Sequence, residues 1–347
     1  MLTTLAAPAF AGTWHIEDGD ITVKAGETKG TNKVSQGANQ EVEDTDTIIT
    51  NREAKASSNT VTIEAEKKDD KVEVTLKDVN IDTSSRNKAA VSVTGEGDTN
   101  IKLNGDNALK SDIYRSGIYG SGSLTISGGE NDSLTAQGDD GGNGIYSSNS
   151  SSVTISGGTV NAKGGSGNIS GGDGICSDSG DVTISGGTVT ATGGGSTGSN
   201  GFGGRGIRSS SGGVTISGGT VTANGGNSTN SSGGDGISSL DVAISSGTVT
   251  ANGGDSKDGY GGDGIHSNDI DLSGSLELTA KAGSPNGKAL SQNGRELDLN
   301  AIKDKLGPGA KVTATDANGE TKQVSIPRPV EPEGPVIPEE SSSSSDG

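Results

Sequence analysis

The amino-acid sequence predicts an all-β fold, a right-handed parallel β-helix solenoid with three short strands per coil and a small C-terminal cap. From residue 116 to 282, nearly every Val, Ile and Leu recurs at a fixed place in a unit of about thirty residues. Each unit holds three short segments of alternating polarity separated by Gly and Ser, which favours strands over helices. Because stacked units share one apolar core, a chain with 27% hydrophobic and 2% aromatic residues can still fold.

The repeats align into columns of apolar residues that are expected to point into the solenoid. Each unit opens with a Gly-Ile pair, which gives the column Ile118, Ile145, Ile175, Ile207, Ile237 and Ile265. The V-T-I-S-G-G segment gives the columns Leu124, Val153, Val182, Val214, Val242 and Ile270, and Ile126, Ile155, Ile184, Ile216, Ile244 and Leu272. The T-V-T-A segment gives Leu134, Val160, Val189, Val221, Val249 and Leu276, then Ala136, Ala162, Ala191, Ala223 and Ala251.

Shifts in composition divide the chain into segments. In order they are a truncated signal-peptide remnant at 1–11, an N-terminal lead or cap at 12–44, the β-helix at 45–284 with its regular repeats at 116–282, a C-terminal cap at 285–326 and a Pro/Glu/Ser-rich linker at 327–347. The cap is predicted from Leu299, Ile302 and Leu306, which suit a short amphipathic helix, and from an Asn318-Gly319 hairpin turn. Within each repeat, the Gly- and Ser-rich stretch before the Gly-Ile pair varies in length, which predicts a loop on one corner.

Both ends of the chain indicate export to the surface of a bacterium. Ala9 and Ala11 match an A-x-A cleavage site, but the apolar run is short and has no basic start, so this segment is expected to be the tail of a signal peptide. Either the true start lies upstream of Met1 or the sequence is a fragment. The linker is expected to lead to an anchoring module, with a natural tail as the alternative. The sequence contains no apolar stretch of about 20 residues to span a membrane.

Residue usage excludes several classes of chemistry. One Cys and two His are too few for a zinc site built from Cys and His, and they disfavour a Ser-His-Asp triad. Cys176 is expected to be an unpaired thiol beside the Ile column, and His15 and His266 are expected to be ordinary surface side chains. We expect no nucleic-acid partner, no membrane insertion and a monomeric chain.

One column carries charge. Two residues before each ladder Ile stand Ser116, Asn143, Asp173, Arg205, Asp235 and Asp263. Asp235 and Asp263 would stack about 4.8 Å apart, and like charges at that spacing repel unless a cation intervenes. This predicts a calcium ion between them, with Asp255 or Asp258 of the neighbouring loop as a further ligand. The alternative is that both carboxylates point into water and are screened.

A pair of tyrosines forms the candidate carbohydrate site. Tyr119 and Tyr146 follow the ladder Ile of adjacent repeats, where they would make a stacking platform for a sugar ring. A chance exposed pair is the alternative. The same column continues as Cys176, Arg208, Ser238 and His266.

The repeats G-x-G-I-x-S, V-T-I-S-G-G and T-V-T-A, with the leading segments 74–81 and 101–106, resemble β-helix surface proteins of Gram-positive bacteria. They are similar in particular to a family named for a carbohydrate-binding domain, over about residues 60–282. The resemblance implies a right-handed parallel β-helix that carries bound calcium and binds acidic or plant cell-wall polysaccharide. Asn143 and Arg205 replace Asp in the charged column, and this departure argues against a long calcium stack.

The favoured function is a non-catalytic, exported cell-surface module that binds carbohydrate or acts as an adhesin, stabilised by calcium, with a polysaccharide or host glycan as its partner. A structural spacer without a ligand is the alternative. A polysaccharide lyase or hydrolase is less favoured, because no coil concentrates the carboxylates that catalysis needs. Ice binding is also less favoured, because the outward Thr pairs cover only three coils: Thr188 and Thr190, Thr220 and Thr222, and Thr248 and Thr250.

Overall fold

The computed structural model of the chain describes residues 11–342. It is nearly all β, a parallel β-solenoid of about nine turns with one short α-helix, and it confirms the predicted fold class. The strands stack on three faces, which we name the opening, middle and closing faces in the order in which each repeat visits them. Most of the predicted signal-peptide remnant, at 1–10, and the end of the linker, at 343–347, lie outside the described residues.

The strands of each face follow one another along the solenoid axis. The opening face contains Ile21–Ala25, Val61–Glu64, Val91–Thr94, Ile118–Gly120, Ile145–Ser147, Ile175–Ser177, Ile207–Ser209, the first parts of Ile237–Ile244 and Ile265–Leu272, and Leu290–Gln292. The middle face contains Thr13–His15, Ile48–Thr50, Lys71–Lys77, Asp98–Asn104, Ser123–Ser127, Val153–Ile155, Val182–Ile184, Gly213–Ile216 and the later parts of the two long strands. The closing face contains Asn80–Asp82, Asp106–Ile113, Ser133–Asp139, Thr159–Lys163, Thr188–Thr192, Thr220–Asn224, Thr248–Asn252, Glu277–Lys281 and Lys311–Thr315.

Parallel pairing holds the apolar columns in register. Ile175 pairs with Ile207 on the opening face, and both side chains are fully buried. On the closing face the Val column continues from Val249 to Leu278 and then to Val312, and not to the predicted Leu276. Leu276 precedes that strand and is buried as well. The inward residues of all three faces therefore form one continuous core.

Outward residues stack in the same register. One column of the closing face runs through Thr135, Asn161, Thr190, Thr222, Thr250, Thr279 and Thr313. The Thr ladder is thus longer than the three coils predicted from the T-V-T motif, because less regular coils also place Thr at this position.

The variable loops are ordered by a column of glycines that we name the glycine seam. Its members are Gly142, Gly165, Gly172, Gly194, Gly204, Gly226, Gly234, Gly254, Gly262 and Gly283. From Gly165 onward, the N–H of each member donates to the carbonyl oxygen of the preceding member at 2.7–2.9 Å. A Cβ on any member would lie within 2.6 Å of neighbouring backbone atoms, so only glycine permits this approach. The predicted corner loop is therefore a packed, hydrogen-bonded wall.

The solenoid begins before the predicted start at residue 45. Thr13–His15 pairs in parallel with Ile48–Thr50, and Ile21–Ala25 pairs in parallel with Val61–Glu64. Two strands of the predicted lead segment thus belong to the first coils. The other two, Asn32–Gln36 and Asn39–Asp44, fold antiparallel beside them. This inserted hairpin interrupts the repeat spacing, and the interruption hides the first coils from a search for periodicity.

The C-terminal cap has the predicted elements but a different boundary. The α-helix Leu299–Ile302 buries both of its end residues, and the hairpin pairs Lys311–Thr315 with Thr321–Ser325. The first hairpin arm also pairs in parallel with Glu277–Lys281, so the coil continues past the predicted limit at 284. The short strand Arg295–Glu296 and the 3₁₀ turns Ile16–Asp18 and Lys303–Lys305 complete the described elements. An antiparallel arm at this end blocks further parallel stacking.

Replacing Ile207 with Asp tests the inward register. The substitution puts an unpaired charge into the core and is expected to lower the free energy of unfolding by about 3–5 kcal/mol. Thr215→Asp is the matched control, because Thr215 points outward between buried neighbours and its change should cost less than about 0.5 kcal/mol. Chemical denaturation measures both. Equal stabilities of the two variants would show that the register is wrong.

The glycine seam can be tested with two adjacent residues. A Cβ at Gly194 would lie 2.1 Å from the Gly165 carbonyl oxygen, whereas the closest atom to a Cβ at Gly195 is 3.4 Å away. We expect Gly194→Ala to destabilise the protein by about 1–3 kcal/mol. Gly195→Ala is expected to be neutral or to stabilise by less than about 1 kcal/mol. Thermal unfolding compares them, and a tolerated Gly194→Ala would contradict a packed seam.

Candidate functional site

The outward residues of six consecutive opening-face strands form the floor of a groove. Strand pairing aligns them in the order Thr62, Ser92, Tyr119, Tyr146, Cys176 and Arg208. Two cavities, of about 540 and about 380 Å³, lie along this floor and share Asn143 and Tyr146. Together they form what we name the axial groove. Every floor residue lines one cavity or the other, so the groove crosses the coils along the solenoid axis.

Aromatic side chains gather at the axial groove, although the chain has few of them. Tyr114, Tyr119 and Tyr146 line the first cavity, and Tyr146 and Phe202 line the second. The rings of Tyr114 and Phe202 are exposed, at 60% and 51%. Tyr260 occupies the same loop position two coils beyond Phe202, because backbone hydrogen bonds stack Phe202, Ser232 and Tyr260 in register. The sequence analysis identified only Tyr119 and Tyr146, which lie on strands, and missed these aromatic residues of the loops.

Tyr119 and Tyr146 are brought together as predicted. Their ring centroids lie 5.6 Å apart with the planes tilted by 40°, a favourable geometry for two aromatic rings. The Tyr119 hydroxyl lies 3.1 Å from Ser148 Oγ, and the Tyr146 hydroxyl donates to Asp178 Oδ2 at 2.6 Å. Burial and the Asp178 carboxylate raise the pKa of Tyr146. Cys176 is buried beside it, and burial raises the pKa of its thiol, so this side chain is a poor nucleophile.

Positive charge also lies along the axial groove, in a chain whose formal net charge is −19. Lys88 and Arg115 line the first cavity, and Arg205 and Arg208 line the second. Arg115 Nε donates to Asn87 Oδ1 at 3.0 Å, which fixes one guanidinium at the rim. Arg208 lies 3.7 Å from Asp173, an ion pair long enough to leave the Arg208 guanidinium open to a ligand. The groove therefore offers a local attraction to anions.

The charged column beside the groove has a structural role that sequence reasoning missed. At four places in this column, a side-chain Oδ1 accepts the backbone N–H of a residue in the next coil at 2.7 Å. The pairs, with the acceptor first, are Asn143 and Asp173, Asp173 and Arg205, Asp235 and Asp263, and Asp263 and Lys288. Either an amide or a carboxylate oxygen can serve, which explains why Asn143 replaces Asp. These hydrogen bonds join the loop ends of successive coils to one another, just before the opening-face strands begin.

Four segments of the chain match the beta helix repeat family, at residues 153–175, 182–204, 214–239 and 242–269. The chain is a β-helix repeat protein. The matched segments contain eight of the ten glycines of the seam and part of the lining of the second cavity, including Phe202. No curated protein and no solved structure matches the chain. This repeat occurs in enzymes and in non-enzymes, so the match leaves catalysis undecided. No helix among residues 11–342 is long and apolar enough to cross a membrane.

The four predicted calcium ligands do not form one cluster in this β-helix repeat protein. Asp235 and Asp263 stack as predicted, but Asp255 lies in another ladder, where its Oδ1 accepts Ser284 N–H at 2.9 Å. Asp258 is exposed. Within residues 11–342, no three His, Cys, Asp or Glu side chains are placed to hold a metal ion. Calcium takes six to eight oxygen ligands, and the two stacked carboxylates alone do not complete such a shell. Calcium binding stays a prediction.

The stacked carboxylates are electrostatically unusual. Burial, together with the nearby charge of Asp263, raises the pKa of Asp235 to about 6. His266, predicted to be an ordinary surface residue, places Nδ1 2.7 Å from Asp263 Oδ2, and this hydrogen bond raises the pKa of His266. Below about pH 6, a proton on Asp235 therefore relieves part of the repulsion that calcium was expected to relieve.

Asp235→Asn separates the hydrogen-bonding role of this side chain from its charge. Because the folded-state pKa of Asp235 lies above its ordinary 3.8, the wild type should lose up to about 3 kcal/mol of stability as pH rises from about 4 to about 6. Asn keeps the acceptor, as Asn143 does, so the variant should be more stable than wild type at pH 7 and flatter across that window. The raised pKa of His266 affects a higher pH range, because the stability that protonated His266 contributes is lost only above about pH 6.5.

Denaturation at stepped pH provides the measurement, with Asp235→Ala as the control. Ala removes the charge and also the acceptor for Asp263 N–H, so it should not reproduce the gain at pH 7. A wild type whose stability is constant from pH 4 to 6 would show that the Asp235 pKa is not raised.

Proposed function

We propose that this β-helix repeat protein is a non-catalytic, exported cell-surface module that binds polysaccharide in the axial groove. The observation that carries the proposal is the concentration of aromatic rings at this one groove. Tyr114 and Phe202 offer exposed ring faces, and Tyr119 and Tyr146 form a fixed pair between them. Sugar rings bind to aromatic faces through their apolar C–H groups, while their hydroxyls need polar partners. Asn87, Ser92 and Asn143 supply such partners in the first cavity.

The charge of the groove favours an acidic polysaccharide. Four cationic side chains lie along a groove of a strongly anionic protein, and they would pair with carboxylates that repeat along a uronate chain. A neutral glycan would leave these cations without ligand partners. The resemblance of the repeats to a carbohydrate-binding family of bacterial surfaces points to the same class of ligand.

The carboxylates in the groove support binding over catalysis. The first cavity has no Asp or Glu among its described lining residues. In the second cavity, Asp173 accepts a backbone N–H and lies near Arg208, and Asp178 accepts the Tyr146 hydroxyl. Glycoside hydrolysis needs two carboxyl groups that face the bond to be cleaved, and these two are engaged with the protein.

Ring removal at Tyr146 tests the proposal. Tyr146→Ala is expected to weaken binding of polygalacturonate about two- to tenfold, because an aromatic contact contributes about 0.5–1.5 kcal/mol. Arg208→Ala should weaken binding at low salt more than at high salt, because screening already reduces the wild-type charge interaction. Isothermal titration calorimetry measures both variants, and a neutral glucan is the comparison ligand.

Thr190→Ala is the control variant, because Thr190 lies on the closing face. Its affinity should equal that of the wild type. If the wild type binds neither acidic nor neutral polysaccharide, the groove is not a glycan site and the spacer function is favoured.

A further inference from the structure

The axial groove has a repeat along its length. Its floor takes one outward residue from each of six consecutive coils, from Thr62 to Arg208. Coils stack about 4.8 Å apart, so this floor is about 24 Å long. That spacing is close to the advance of one sugar unit along an extended glycan chain. A chain parallel to the axis would therefore meet each coil once, in nearly the same local geometry.

The two cavities share their central residues. Asn143 and Tyr146 line both cavities, so the Tyr146 ring lies at the junction and not at an end. The hydrogen bond from the Tyr146 hydroxyl to Asp178 holds the ring in that place. A ligand that occupies both cavities must pass over Tyr146, whereas a mono- or disaccharide reaches only one of them.

The loop tips form one wall that runs along the solenoid axis beside the groove. Backbone hydrogen bonds stack the tips of consecutive coils, and the exposed ring of Phe202 projects from this wall beside the second cavity. The wall runs parallel to the axis because the glycine seam fixes its base. A chain lying across the coils would collide with this wall, but a chain along the axis follows it.

We infer that the axial groove binds internal segments of a linear glycan chain that lies parallel to the solenoid axis, with about one sugar unit per coil. This inference rests on the proposed function and adds the shape, orientation and length of the ligand. It requires no recognition of a chain end, because the contacts are distributed along the floor.

Titration with oligogalacturonates of increasing length tests the inference. Affinity is expected to rise at least tenfold from the dimer to the hexamer and then to level off, since about six coils supply contacts. Reduction of the end sugar of the hexamer should leave its affinity unchanged. A dimer that binds as tightly as the hexamer, or a hexamer that loses binding on end reduction, would overturn the inference while the proposed function stands.

A blocking variant locates the chain. Thr62→Trp fills the floor at one end of the groove, so it should weaken hexamer binding and leave the weak affinity for the dimer unchanged, because the other coils remain open. Thr190→Trp, on the closing face, is the matched control and should bind like the wild type. If Thr62→Trp binds the hexamer as the wild type does, the chain does not run along the floor. Absence of binding at every length and to the polymer would overturn the inference and the proposed function together.

Discussion

Backbone hydrogen bonding between stacked coils is the interaction on which the rest of this structure depends. It places equal positions of successive repeats directly above one another, so each position of the repeat becomes a column with one environment. Inward columns of Ile, Val and Ala then merge into a single core that runs through the solenoid, although each coil contributes few apolar side chains. This is why a chain with 27% hydrophobic residues forms an ordered structure.

Close stacking of the coils also explains why Gly is common in the loops, because a Cβ there would collide with the backbone of a neighbouring coil. Two glycines per coil enter the seam, and their carbonyl and N–H groups replace the hydrogen bonds that a free loop would make with water. Length variation is tolerated outside the seam, at the tips. These tips carry the exposed Phe202 and Tyr260, and the rigid base holds Phe202 at the edge of the axial groove.

Stacking also explains the charged column. At four positions of this column, a side-chain oxygen of Asn or Asp accepts the backbone N–H of the next coil, which stabilises the stacking of the coils. Where two Asp follow one another, the same geometry brings their charges close and raises the pKa of Asp235. The column on the groove floor differs, because its Tyr and Arg side chains line the two cavities and bond to other side chains, not to the backbone of the next coil. One column thus stabilises the solenoid, and the adjacent column forms the candidate binding surface.

The sequence by itself determined the solenoid, its inward columns and the neighbouring positions of Tyr119 and Tyr146, because a strict repeat converts position along the chain into position in space. It did not determine the first coils at 13–25, since an inserted hairpin interrupts the period there. The tertiary structure alone decided that Tyr114 and Phe202 line the same groove as the tyrosine pair, because they come from loops without a constant spacing. The tertiary structure also showed that the Asp column accepts backbone N–H groups of the next coil. The sequence gives the residue types, but the partner of each side chain depends on how successive coils are placed relative to one another.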